Sequence, residues 1–169
     1  LLLTAYTYMQ ENADSVAEYY FDRIIQNYDD LLVKGKSVHV LCLQNLIQIS
    51  TSSDNRIYYF NQLITRFPDE VNITELYMRQ AIEYEKIGDW EQALNTYSLF
   101  LERPDATTIQ IAGIPDAYNR ARKLIDFNNS PKDWTFESLE ALEKAVKNAI
   151  SRYSSTLLDK YRSKVNFFA

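Results

Sequence analysis

Residues 74–105 read TELYMRQAIEYEKIGDWEQALNTYSLFLERPD, and the fold follows from how this stretch divides. The segment Lys86-Ile87-Gly88-Asp89 is a turn between two runs of helical periodicity. Ala81 and Tyr84 fall on one face of the first run, and Ala93, Tyr97 and Phe100 on one face of the second. Small residues at matching places let two antiparallel helices approach closely, and large aromatic ones fill the space beside them. Trp90 opens the second helix and Pro104 closes it, since proline cannot continue a helix. A single hairpin of this kind has an apolar face that it cannot bury alone, so the reading demands neighbours.

The neighbours are visible. Residues 17–30, AEYYFDRIIQNYDD, lie over residues 56–69, RIYYFNQLITRFPD, at a constant shift. The pairs Tyr19/Tyr58, Tyr20/Tyr59, Phe21/Phe60, Ile25/Ile64 and Asp30/Asp69 are identical. Ile24/Leu63 and Tyr28/Phe67 are conservative pairs. The stretch from Ala93 to Asp105 is a third copy, and Ala149-Ile-Ser-Arg-Tyr153 echoes Leu63-Ile-Thr-Arg-Phe67. Repeats of this period indicate stacked helical units.

With this pattern of small and large residues, the chain resembles the tetratricopeptide repeat (TPR) family. The ending Ile-Thr-Arg-Phe-Pro-Asp69 is similar to the TPR modules of bacterial envelope lipoproteins. The resemblance implies an all-α, right-handed solenoid of antiparallel helix pairs forming one domain over residues 1–169. Its repeats would cover about 1–30, 37–70, 74–105 and 114–153, with a terminal capping helix over 155–168. It also implies a place in the bacterial periplasm or cell envelope.

Each second helix needs a first helix before it. Leu1 to Gln10 serves the first repeat, and Asp14 or Ser15 can cap the helix that follows. Ser37 to Ile49 serves the second, apolar on most sides as a helix inside a stack should be. The run Ser50 to Asn55 is rich in capping residues. In the fourth hairpin the first helix is expected from Pro115 to Phe127, with proline in the first turn. The second helix is expected from about Thr135 to Tyr153, with Leu139, Leu142, Val146 and Ile150 on one face. The terminal helix should lay Leu157, Leu158, Tyr161, Val165 and Phe168 as a stripe on Leu142, Val146 and Ile150. Ala106, in a connection, should tolerate enlargement.

Composition narrows the function. The chain of 169 residues carries a net charge of −5, and no cluster of Lys and Arg marks a phosphate-binding face, so nucleic acid is not an expected partner. From Asp116 onward the balance turns to 10 basic against 7 acidic residues, a weakly basic end. No unbroken apolar run is long enough to span a bilayer. Cys42 is the only cysteine and lies in an apolar run, so a small buried hydrophobe is expected there. His39 is the only histidine, with no ligand-spaced cluster around it, so no metal site is expected. Glu83 and Glu85 point to different helix faces and do not form an acid–base pair. No nucleophile elbow or phosphate loop is present. The chain reads as neither an enzyme nor a cofactor protein. Because it begins at Leu1 rather than Met, it reads as a piece of a longer protein or as a trimmed mature chain.

In TPR proteins the first helices line a concave groove that holds a protein or peptide segment. Carried over by register, the groove here would show Tyr6, Met9 and Gln10 from the first repeat. The second would supply Leu41, Asn45, Gln48 and Ile49, and the third Glu75, Met78, Ile82 and Glu85. The fourth would supply Tyr118, Arg122 and Ile125. Some TPR domains clamp a terminal carboxylate with Lys, Asn and Arg. Asn45 and Arg79 stand at such positions, but Leu2 and Glu75 replace the lysines, so that mode is not expected. The function implied is a protein–protein interaction scaffold. Two other readings stay open: a small hydrophobic ligand in the concavity of a transporter-associated protein, or self-association. The sequence leaves the oligomeric state open.

Overall fold

The computed structural model describes residues 1–164. It divides into two compact units, Leu1–Ala117 and Tyr118–Ala169. Among the described residues the chain is mostly helical, in the order α1 (Leu2–Gln10), α2 (Asp14–Asn27), α3 (Val38–Ile49), α4 (Ser53–Arg66), α5 (Ile73–Lys86), α6 (Trp90–Leu101), α7 (Ala117–Asn129), α8 (Leu139–Ser151) and α9 (Ser155–Lys160). A two-stranded hairpin, β1 (Leu32–Val33) and β2 (Lys36–Ser37), interrupts the connection between α2 and α3.

In the first unit each helix packs against the next, and α5 with α6 makes the most extensive pair. The pair turns where the sequence places it. Gly88 adopts φ 78°, a left-handed conformation that costs glycine nothing. Asp89 caps α6 by accepting from the Gln92 amide at 3.1 Å. Ala81 and Ala93 are both fully buried, as close helix contact requires, together with Tyr97 and Phe100. Ser52 and Asn72 cap α4 and α5 in the same way, accepting from Asn55 and Glu75.

The core of the unit runs from Ala5 through Ala17, Phe21 and Ile24 to Cys42, Leu43, Leu46 and Leu63. Tyr6 stands edge-on to Phe21, with ring centroids 5.3 Å apart. Tyr8 stacks on Tyr20 at 5.7 Å. Cys42 is fully buried, and burial followed by the charge of Asp30 pushes its thiol up to about 12. It is therefore an unreactive core side chain.

Polar bonds tie successive pairs together. Glu18 on α2 accepts from Tyr59 at 3.3 Å and from Asn55 at 3.1 Å, both on α4. Gln80, buried on α5, donates to Asn61 at 2.8 Å. Glu83 on α5 accepts from Arg56 on α4 at 2.6 Å and from Lys86 at 2.7 Å. Burial works against the charge on Glu83, yet the hydrogen bonds from Arg56, Lys86 and Ser53 outweigh it and hold the carboxyl below its usual range.

Several sequence expectations need correction. Neither Asp14 nor Ser15 caps α2; Ala13 holds the cap position with no side-chain bond, after a left-handed turn at Asn12. Pro115 lies outside α7, because Asp116 adopts φ 55° and the helix begins at Ala117. Helix α8 begins at Leu139, since Ser138 caps it by accepting from the Ala141 amide at 3.1 Å. Ala106 is 2% exposed, so this position in the connection after α6 packs into the interior although most of the connection is exposed.

The second unit is held partly by aromatic edges: Phe127 meets Trp134 at 6.1 Å, and Phe136 meets Tyr161 at 5.2 Å. Helix α9 packs on α8 but spans only Ser155–Lys160, and Tyr161 follows it as the C-cap. On α8 the inward face is Ala149 with half-buried Leu142, Ala145 and Val146. Leu139 and Ile150, expected on that face, are 75% and 57% exposed. Val165 and Phe168 of the expected stripe lie outside the described residues.

Candidate functional site

The first helices of the first unit bring the expected groove residues partly together. Tyr6 on α1 accepts from Asn45 Nδ2 on α3 at 3.1 Å. Asn45 also donates to the Leu41 carbonyl at 2.6 Å. Met9 and Leu41 are half-buried beside this bond's two helices, while Gln10 and Gln48 are exposed. On α5, Glu75 pairs with Arg79 at 2.7 Å, and Ile82 is half-buried. Glu85 accepts from the Tyr97 hydroxyl at 2.7 Å, which fastens α5 to α6.

Two expected groove residues are core instead. Met78 is fully buried and Ile49 is 9% exposed. The repeat register places both in the groove, but that register does not fix which side of a helix faces the core. Tyr118, Arg122 and Ile125 lie on α7 in the second unit, where Arg122 pairs with Asp126 at 3.0 Å.

Between α3 and α5 lies an open depression of about 350 Å³. Gln44 and Ile47 line it from α3, Glu75, Leu76 and Arg79 from α5, and Val71 and Asn72 from the connection between repeats. Of these, only Glu75 was expected as a groove residue. Ile47 follows from helical spacing, and Arg79 was considered only as a carboxylate clamp. Its guanidinium is occupied: besides Glu75 it donates to the Ala112 carbonyl at 3.0 Å. With Phe60 and the exposed carboxylate of Glu70 also lining it, the depression mixes apolar surface with amide groups, one free acidic side chain and the Glu75–Arg79 pair.

A second polar cluster was not anticipated. His39 is 3% exposed; its Nε2 bonds the Tyr28 carbonyl at 3.0 Å and its Nδ1 faces Arg66 at 2.8 Å. A guanidinium can only donate, so Nδ1 accepts and the proton sits on Nε2. Asp30 accepts from Ser37 Oγ at 2.7 Å and from the His39 amide at 2.9 Å. Burial alone would raise the Asp30 pKa, but these bonds outweigh it and hold the carboxyl below 3.8. The cluster fastens the segment 28–39 to the end of α4, and every group in it has a partner.

Among the described residues, no group of three or more His, Cys, Asp or Glu side chains is placed to hold a metal ion. No described helix is long and apolar enough to cross a membrane. The chain matches no known family, no curated protein and no solved structure.

Proposed function

We propose that the first unit is a TPR-like interaction scaffold that holds a segment of another protein along the first helices α1, α3 and α5. The observation that carries this reading is the Tyr6–Asn45 bond, because the two residues are 39 positions apart, the same shift that superposes the repeats. Equivalent side chains of consecutive first helices touch, as in a stack whose first helices share one surface. The character of that surface supports a protein partner over a small apolar ligand. Its depression is open, and Gln44, Asn72 and the Glu75–Arg79 pair stand beside Ile47, Val71 and Leu76. A ligand pocket would enclose its guest and be lined mainly by apolar groups.

The test is site-specific photocrosslinking in the source cell. A photoreactive residue at Gln48 or Gln44 should give a discrete protein adduct, and one at exposed Asn95 on α6 should not. Adducts from Asn95 with none from the two glutamines would place the binding surface elsewhere. The sequence likeness to envelope lipoproteins leads us to place the protein in the bacterial envelope. Fractionation that recovers it with cytoplasmic markers would overturn that placement.

A further inference from the structure

The connection between α2 and α3 is longer than the repeat needs. Helix α3 starts at Val38, eight residues after Asp30, whereas α5 starts at Ile73, four after the equivalent Asp69. The added residues form the β1–β2 hairpin, which pairs Leu32 with Ser37 and Val33 with Lys36. Lys34 and Gly35 turn it with φ 53° and 77°, the paired left-handed geometry of a tight hairpin turn.

The hairpin exposes what a surface loop ordinarily hides. Leu31, Leu32 and Val33 are 66%, 72% and 52% exposed, and Tyr28 beside them is 50% exposed. None of the four belongs to the core cluster. Lys34 and Lys36 follow directly and are exposed as well. The base is nonetheless fixed: Val38 N–H donates to the Leu31 carbonyl at 2.9 Å, and Asp30 accepts from both Ser37 Oγ and the His39 amide. An exposed apolar strand on a clamped base is preordered for contact, so little freedom is lost on docking.

We propose that this hairpin seats on an anionic lipid bilayer. Leu31, Leu32 and Val33 enter the boundary of the acyl chains, and Lys34 and Lys36 lie at the level of the lipid phosphates. Lysine stems run along apolar surface while their ammonium groups reach polar headgroups. Tyr28, apolar in body and polar at its tip, suits the same interface. The lysines stand at the turn, while the two carboxylates stay at the base, Asp29 exposed beside Tyr28 and Asp30 bonded to Ser37 and His39. A protein partner fits less well. Protein contact centres are depleted in Lys, and Leu and Val rarely dominate them. Strands of two residues offer little edge for an added strand. A symmetric contact with a second copy would also set the lysines against each other. This inference stands independently of the groove.

The test is co-sedimentation of the full chain with phosphatidylcholine vesicles, with and without phosphatidylglycerol. Wild type should bind the phosphatidylglycerol vesicles, and added salt should weaken binding. Replacing Leu32→Ser and Val33→Ser together should lower the affinity roughly tenfold or more. Lys34→Glu with Lys36→Glu should lower it roughly fivefold for each lysine lost, and remove the preference for anionic lipid. Leu99→Ser, a change at an exposed leucine on α6, should leave binding intact. Circular dichroism of each variant checks folding, and the charge pair keeps the test alive if the serine pair unfolds. Wild type that ignores phosphatidylglycerol vesicles overturns the proposal, and so does binding indifferent to the serine pair. If wild type instead dimerises and the serine pair is monomeric, with neither binding vesicles, a second copy covers the hairpin and the proposal fails.

Discussion

Asn45 donates a hydrogen bond to the Tyr6 hydroxyl at 3.1 Å across two helices, α3 and α1, that are not consecutive in the chain. Helix α2 comes between them in sequence. The bond therefore reports the packing of α1 beside α3. Its energy follows from ordinary hydrogen-bond values, since both groups are only partly buried. Tyr6→Phe and Asn45→Ala should each destabilise the chain by about 0.5–1.5 kcal/mol. In a double-mutant cycle read by urea unfolding, the double variant should lose less than the sum of the two. Full additivity would show that the bond is not made.

Ala93→Leu should cost about 1–3 kcal/mol by overpacking the α5–α6 contact, where Ala81 and Ala93 are both fully buried. The control is Asn95→Ala on the exposed side of α6, which should stay within about 0.5 kcal/mol. An Ala93→Leu chain as stable as wild type in urea would mean that the two helices can part without loss. Ala106, buried at 2%, should respond to enlargement as a core position does.

At Gly88 the penalty for a side chain is all backbone. A Cβ added there would meet nothing within 4 Å, yet φ is +78°. Gly88→Ala should therefore cost about 1–2 kcal/mol, and Gly88→Asn less, because asparagine adopts this region more readily. Thermal melts of the two variants separate strain from crowding. Equal losses for both would point to crowding.

Acid should loosen the α4–α5 contact through Glu83. Its carboxyl lies below 4.5 in the folded chain, so the unfolded chain takes up the proton first as pH falls. The contribution of Glu83 is therefore fully present above about 4.5 and is lost as pH drops through the depressed folded value. Glu83→Gln strands the Arg56 guanidinium, 17% exposed, without its charge partner and should cost about 3–5 kcal/mol at pH 7. Urea melts of both chains from pH 7 downward should show the gap closing below pH 4.5. A gap that stays constant would remove Glu83 from the acid response.

The helix pairs were legible wherever local chemistry marked both ends. Gly88, Asp89 and Pro104 bracket α6, and each acts through its own φ, cap or missing amide. Reading failed where conformation overrode residue type. Pro115 suggests a first turn, but left-handed Asp116 postpones the helix to Ala117. The hairpin went unseen because Leu31-Leu32-Val33 shows no alternation and only Gly35 marks the turn. Tyr6 and Asn45, which the repeat shift maps onto one another, are brought together by a hydrogen bond. Met78 was misplaced because sequence register carries no information on how far a helix rotates about its axis. The His39 cluster joins residues from three segments, a closeness that no spacing in the chain encodes.

Cys42 offers a clock for the core of the first unit. It is the sole cysteine, fully buried in α3, with its thiol pushed up to about 12. A thiol reagent can reach it only when the packing around α3 parts. Alkylation kinetics in native buffer thus count openings of one known layer, with no label added and no residue changed. If the rate follows the global unfolding constant, the unit opens as a whole. A faster rate would mean that its layers come apart one at a time, as beads on a string rather than a single block.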